Sequence, residues 1–321
     1  MRVYAPPQSA EVIPVIDISG PEAEAARAIA KACREIGFFY VAGHGVPEDL
    51  IARQFAAARA VFTVPEAEKQ ALHMRNSESA AGFEPIGGQI LDSQEEDGAI
   101  APADLKESFY CTTNHPDEHP RAPTDAKGRN QWPDLPGFRE QTLAYGEAVQ
   151  TLGNRLLELL ALSLDLPADW FKPYYEGAAA KLRMLRYPPQ KADAEYNQIG
   201  AGAHTDWGGI TLLAQDDLGG LEVCDVNGTW VAAAPIPGTF VINLGDLMMR
   251  WTNGRYASNL HRVRNNQSKA DRYSIPLFYS PRNDAVIEPI PACVDAANPR
   301  RFATCTAGEH VREMFRRSYG Y

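Results

Sequence analysis

Gly202-Ala203-His204-Thr205-Asp206-Trp207-Gly208-Gly209-Ile210-Thr211-Leu212-Leu213 is the stretch that decides the reading of this chain. A His-x-Asp pair ends a short run, two glycines relax the backbone, and a strand pattern resumes. On an extended strand residues i and i+2 share a face, so His204 and Asp206 are expected to aim into one interior from a single strand edge. A second histidine, in Asn259-Leu260-His261-Arg262-Val263, follows His204 by 57 positions. The strand-like runs between them let the chain return beside the first pair. Two imidazoles and one carboxylate can hold one face of an Fe(II) ion and leave the opposite positions open for oxygen chemistry. Zinc accepts the same ligand types, and a lone His-x-Asp pair also occurs as a turn or helix cap. The metal reading therefore depends on what accompanies it.

Outward from this segment, apolar and β-branched runs recur at short intervals: Leu182–Tyr187, Gly209–Ala214, Gly220–Cys224, Thr229–Val231, Thr239–Leu244, His261–Val263 and Tyr273–Tyr279. Asp216-Asp217-Leu218-Gly219-Gly220 and Asn227-Gly228 separate them as turns, the latter a hairpin signal. Many short strands at this spacing indicate a barrel or jelly roll. Toward the N-terminus the period becomes helical. Ala26, Ile29, Ala30, Cys33 and Ile36 form a stripe that Gly37 stops, Phe38-Phe39-Tyr40-Val41 follows as a strand, and a second helix covers roughly 47–62. Val12–Asp17 reads as an edge strand because Pro14 cannot donate to a ladder.

Thr63-x-x-Glu66 reads as the capping box of a third helix. Residues 76–135, rich in glycine and proline, read as a long loop, either a lid or substrate-binding segment or a variable surface excursion. A long helix is expected over 138–163, with Val149, Leu152, Leu156 and Leu159 as its apolar stripe. Thr306-x-x-Glu309 caps a final helix with Val311, Met314 and Phe315 on its apolar face. The fold class is mainly β with flanking α-helices. Nothing divides the chain, so one domain is expected over 1–321: a helix-rich part (1–180) packing on a barrel core (181–285), then a C-terminal segment and helix (286–321).

The chain has 321 residues and a net charge of −10, from 31 basic and 41 acidic side chains. That balance argues against nonspecific nucleic-acid binding, which depends on neutralising phosphates. The five cysteines are scattered and form no Cys-x-x-Cys pair, which points to reduced thiols and the cytoplasm. No run approaches the ~20 apolar residues that span a bilayer, so no membrane partner is expected. A monomer or weak homodimer is anticipated.

Eleven residues after His261 begins Arg272-Tyr273-Ser274-Ile275-Pro276-Leu277-Phe278-Tyr279. Arg272 and Ser274 again share a strand face. A guanidinium fork binds a carboxylate bidentately, and the serine hydroxyl adds a further hydrogen bond. Burying such an arginine is costly without an anion, so the pair calls for an anionic ligand or an internal acid. Arg183 shares a strand face with Tyr187 and is a candidate for meeting substrate. Trp207, Phe278 and Arg317 are further substrate candidates, with Arg316 and Arg317 conditional on the last helix folding over the barrel mouth; for Arg183, Arg316 and Arg317 a salt-bridge role is the equal alternative. His44 is read as structural, and His73, His115, His119 and His310 as surface residues.

The His-Thr-Asp-Trp-Gly-Gly segment, Asn259–Val263 and Arg272-Tyr273-Ser274 together resemble the signature of the iron- and 2-oxoglutarate-dependent oxygenases, in the isopenicillin N synthase-like branch. Val12–Asp17, Gly37–Val46, Asp104–Phe109 and Leu185–Pro189 resemble further segments of that branch. The resemblance implies a double-stranded β-helix core with Fe(II) on His204, Asp206 and His261. It implies 2-oxoglutarate (2OG) as cosubstrate, its distal carboxylate on Arg272 and Ser274 with Tyr187 adding a hydrogen bond. Leu185 departs from the plant members, where an asparagine is common. The implied reaction consumes O2 and 2OG, releases succinate and CO2, and oxidises a small polar molecule, hydroxylation being the default. Anionic and amino-acid-like compounds are among the candidate substrates. Two alternatives stand beside this: a 2OG-independent oxidase of the isopenicillin N synthase or aminocyclopropane-carboxylate oxidase kind, and a non-catalytic metal-bound sensor.

Overall fold

The computed structural model describes residues 13–91, 102–113, 130–178, 180–190, 199–264 and 266–319. In chain order the strands are β1 (Val15–Asp17), β2 (Phe38–Ala42), β3 (Gly82–Glu84), β4 (Glu107–Thr112), β5 (Ala180–Tyr187), β6 (Ala201–His204), β7 (Ile210–Gln215), β8 (Leu221–Cys224), β9 (Trp230–Ala232), β10 (Phe240–Leu244), β11 (His261–Val263), β12 (Arg272–Tyr279), β13 (Val286–Ile287) and β14 (Cys305–Thr306). The helices are α1 (Glu22–Glu35), α2 (Glu48–Thr63), α3 (Glu66–Ala71), α4 (Phe138–Leu162), α5 (Lys172–Tyr175), α6 (Asp246–Trp251) and α7 (Ala307–Tyr319).

The major sheet runs β1-β2-β10-β7-β12-β5-β4-β3, and a four-stranded sheet runs β6-β11-β8-β9. This is the jelly-roll core, with helices packed on the outside. Strand alternation sorts the major sheet's side chains into two faces. Tyr273, Ile275, Leu277 and Tyr279 of β12, with Ile210, Leu212 and Ala214 of β7, join one apolar cluster with Tyr145, Val149, Leu152 and Leu156 of α4. The opposite face meets the smaller sheet: Phe38, Tyr40, Leu185, Tyr187 and Val241 cluster with Leu221, Val223, Val231 and Val263. Polar residues on that same inner face (Thr211, Asn243, Arg272, Ser274 and Arg183) border the space between the sheets.

Several sequence expectations need correction. Thr63 does not begin a capping box. It ends α2, its hydroxyl donating back to the Ala60 carbonyl at 2.8 Å, and Pro65 occupies the N-cap of α3. The segment 76–135 is not all loop, because β3 and β4 extend the major sheet from within it. Ser108, Tyr110 and Thr112 face inward on β4, so its apolar alternation is masked by polar side chains. Asp206 is not on a strand. β6 ends at His204, and the carboxylate reaches the site from the connection to β7. Helix α6 has no counterpart in the sequence reading; its six residues are too few to show a helical period.

Other features agree with the sequence. β1 is an edge strand, parallel to β2. Asn227-Gly228 turns between antiparallel β8 and β9, with Gly228 at φ 80° and the Asp225 carboxylate accepting from the Asn227 and Thr229 amides. Thr306 and Glu309 form a reciprocal capping box on α7. All five cysteines are free thiols. Among the described residues no helix is long and apolar enough to cross a membrane.

Leu212 is fully buried in β7, between β10 and β12. Leu212→Ala is expected to cost about 2–5 kcal/mol through lost burial and a residual cavity. Urea denaturation with an unchanged slope checks it.

Candidate metal centre

β6 and β11 pair antiparallel with His261 opposite His204, which sets the two rings 4.2 Å apart between centroids. His204 Nδ1 lies 2.7 Å from the Gly202 carbonyl, and His261 Nδ1 lies 3.4 Å from that of Asn259. A carbonyl oxygen only accepts, so Nδ1 carries the proton in the His204 contact, and Nε2 is the free lone pair. Phe38 packs edge-on to His261 at 5.4 Å and limits its rotation.

Asp206 is held from the other sheet. Its Oδ2 accepts from Thr211 Oγ1 of β7 at 2.5 Å and from Asn243 Nδ2 of β10 at 2.7 Å, while Oδ1 stands 3.8 Å from His261 Nε2. Thr211 and Asn243 are cross-strand partners, so both donors come from adjacent strands of the major sheet. The backbone is fixed as well: the Asp246 amide at the start of α6 donates to the Asp206 carbonyl at 2.8 Å. A Cβ on Gly245 would collide with the Gly208 carbonyl, so only glycine permits this approach.

The ligand atoms of His204, Asp206 and His261 lie within 4.8 Å of one another. Burial, with His261 beside it, depresses the His204 imidazole to about 3, and Lys106 works in the same direction. Burial opposes ionisation of Asp206, yet the two imidazoles, Asn243 and Thr211 outweigh it and hold the carboxyl below its ordinary range. Unprotonated nitrogen and ionised oxygen are the forms that bind a metal.

On β12, Arg272 and Ser274 are 2 % exposed, with Arg272 Nη1 3.4 Å from Ser274 Oγ. Its Nε donates to the Gly219 carbonyl, and its guanidinium lies over the Tyr187 ring, 4.7 Å from the centroid. Tyr187 is the register partner of Arg272 across β5 and β12. No carboxylate among the described residues lies within ion-pair distance of Arg272. Asp216, the acid in its field, accepts the Tyr273 amide instead.

The other sequence candidates disperse. Arg183 is buried and paired with Glu84 at 2.7 Å, with Ser108 and Gln89 as further acceptors. Trp207 stands edge-on to Phe315 of α7, 6.4 Å apart. Phe278 sits on the inner face opposite Thr211. Arg317 points to solvent, 69 % exposed and paired with Glu313. His310 is not a surface residue: only 14 % exposed, it faces Asp246, the first residue of α6, at 3.6 Å. His44 is structural, its Nδ1 accepting the Val46 amide, and His73 caps a 3-10 turn. His115 and His119 lie outside the described residues. Sequence reasoning misses Thr211, Asn243 and Asp246, because a threonine inside a strand and an asparagine between Ile242 and Leu244 carry no local signature.

The non-haem dioxygenase N-terminal family (named for morphine synthesis) matches residues 13–135, and the 2OG-Fe(II) oxygenase superfamily matches residues 179–281. The chain belongs to the 2OG-Fe(II) oxygenase superfamily. This oxygenase is 38% identical over 323 residues to a 2-oxoglutarate-Fe(II) type oxidoreductase, hxnY, of Emericella nidulans, covering 96% of this chain and 90% of that relative. It superposes with TM-score 0.81 and 28% identity on a full-length Neurospora crassa protein in complex with alpha-KG and thymine, over 94% of this chain and 96% of that one. It does so with TM-score 0.80 and 29% identity on JOX2 in complex with 2OG, Fe and JA, over 98% and 87%. It is therefore a 2OG-dependent dioxygenase, with Fe(II), 2OG and O2 as its reagents. The donor set fits the metal: two imidazoles with free Nε2 atoms, and one carboxylate with one oxygen tied back.

The metal-free protein has a defined pH response. His204 resists protonation down to about pH 3, against an ordinary value of 6.5. Across that window the unfolded chain takes up a proton that the folded chain refuses, so stability falls as pH drops from 6.5 toward 3. Asp206, depressed when folded, adds a loss in the same direction at the acid end. Urea titrations between about pH 4 and 6.5 should show a shallower stability slope for His204→Gln than for wild type, and equal slopes contradict this.

Proposed function

We propose that Arg272, Ser274 and Tyr187 seat the distal carboxylate of 2OG while its 2-oxo acid end faces the iron on His204, Asp206 and His261. The observation that carries this reading is Arg272: 2 % exposed, with no carboxylate within ion-pair distance among the described residues. A guanidinium so placed has lost its hydration and gains an anion only from a ligand. Ser274 supplies a hydroxyl beside it, and the Tyr187 ring supports the guanidinium from one side.

When bound, iron would supply activation of O2, one oxygen atom going into succinate as 2OG is oxidised with loss of CO2 and the other being available to oxidise the substrate. The protein's part is positioning. Thr211 and Asn243 keep Asp206 ionised and aimed. The carbonyls of Gly202 and Asn259 direct the histidines. Val241, Leu185 and Tyr187 make the inner wall apolar, which restricts water around the reacting groups. Trp207 follows Asp206 directly in the chain and Phe278 lies opposite Thr211 on the inner face, and we place both at the border of the substrate's site. We take the substrate to be a small polar molecule and hydroxylation to be the outcome, with the enzyme acting in the cytoplasm as a monomer or weak homodimer. The solved relatives that hold thymine or JA beside 2OG support a small organic substrate.

The 2OG-independent oxidase is the second reading, since an Arg-x-Ser pair could hold a substrate's own carboxylate. Binding of 2OG to the anaerobic Fe(II) enzyme separates the two. The 2OG reading expects a visible charge-transfer band and saturable succinate formation. Arg272→Ala removes a charge-assisted contact worth about 1.5–3 kcal/mol, so KM for 2OG should rise roughly 10- to 150-fold. An unchanged KM, or no band in the wild type, refutes this seat.

A further inference from the structure

The inner wall beside the iron carries its charges in closed pairs. Arg183 Nη2 meets Glu84 Oε2 at 2.7 Å, Ser108 Oγ at 2.8 Å and Gln89 Oε1 at 3.0 Å; all four residues are 7 % exposed or less. Lys106 and Asp104, each 3 % exposed, form a second pair. This wall adjoins the metal centre: Asp104 Oδ1 accepts the Gly202 amide at 2.9 Å, two residues before His204. Lys106 stands close enough to both His204 and Arg183 to disfavour a further positive charge there. Tyr110, half-buried in front of the cluster, donates to Glu84 at 3.4 Å and lies under the Arg183 guanidinium, 4.5 Å from its centroid. Lys181, at the outer end of the same strand face, is exposed and donates to the Ser79 carbonyl.

On the proposed seating of 2OG, the remaining charges also close. The two positive charges of Fe(II) and the one on Arg272 are met by Asp206 and by the two carboxylates of 2OG. A charged substrate would then enter a desolvated space in which the charges of this wall and of the seated 2OG are already matched, at a cost its own charge does not recover. What the wall presents is the half-buried Tyr110, backed by a network of amide, hydroxyl, carboxylate and guanidinium groups that sets hydrogen bonding of both signs behind its ring.

We propose that the prime substrate is uncharged and presents hydrogen-bond donors and acceptors together, seated against Tyr110 with the Glu84–Arg183–Gln89–Ser108 cluster as the element that selects it. Glu84 is the specificity-determining residue, because it cancels the arginine that would otherwise attract anions. This deepens the 2OG reading and depends on it.

The test uses matched probes that differ in one carboxylate: uracil against orotate, and benzamide against benzoate. Each is titrated into the anaerobic Fe(II)·2OG complex, and binding is read from the shift of the visible charge-transfer band. The neutral member of each pair should bind at least ~10-fold more tightly, the equivalent of about 1.4 kcal/mol. Glu84→Gln, which keeps hydrogen-bonding atoms but frees the Arg183 charge, should narrow or reverse that ratio. If this variant does not fold, the wild-type ratio alone decides. The proposal is overturned if the carboxylate members bind the wild type as tightly, or if neither member of either pair shifts the band. A complex that forms no band refutes the 2OG reading instead. The same pairs are then compared by ligand-observed NMR on the protein loaded with Zn(II) and 2OG, with the same ratio expected.

Discussion

Two hydrogen bonds into one oxygen of Asp206 hold the two sheets of this protein in a working relation. Thr211 and Asn243, cross-strand partners on the major sheet, both donate to Oδ2. The histidines come from the smaller sheet, paired across β6 and β11. The metal centre is thus assembled where the sheets face each other, and neither sheet holds the full ligand set. The donors do two things at once: they stabilise the ionised carboxylate against its burial, and they engage Oδ2, so that Oδ1 would be the oxygen to hold the metal. The Asp246 amide and the bare Cα of Gly245 fix the same loop from behind, and His310 of α7 faces Asp246.

Much of this arrangement is legible in the sequence because it follows strand periodicity. β5, β7, β8, β10, β11 and β12 show in their apolar runs, and Arg272-x-Ser274 shows as one face of β12. The N-terminal helices and α4 show in their stripes. The failures have a common cause. β3 and β4 are hidden because their inward residues, Glu84, Ser108 and Tyr110, are polar and serve one another across strands, so burial and hydrophobicity part company there. Strand spacing points to Asp206 for a wrong geometric reason: the chain leaves the strand after His204, and the aspartate is aimed by tertiary donors 5 and 37 residues away. His310 looks like a surface histidine in the sequence because its partner, Asp246, lies on a helix too short to announce itself.

The charged groups of the inner wall separate into two kinds. Arg183 with Glu84, and Lys106 with Asp104, are self-contained pairs whose breakage would leave an uncompensated buried charge. Arg272 is different, buried beside a hydroxyl and an aromatic ring without an acid in contact. That contrast distinguishes a wall that shapes a space from a residue that awaits an anion. It also explains why a chain of net charge −10 can bind a dianion: local pairing, not the global field, sets the potential inside a desolvated pocket.

The central claim is that Thr211 and Asn243 select which carboxylate oxygen binds the metal. The most direct measurement is a crystal structure of the anaerobic Fe(II)·2OG complex. The account predicts iron on the Nε2 atoms of His204 and His261 and on Oδ1 of Asp206 alone, with Oδ2 still accepting from Thr211 and Asn243. Asp206 binding through Oδ2, or through both oxygens with those two hydrogen bonds broken, would contradict it.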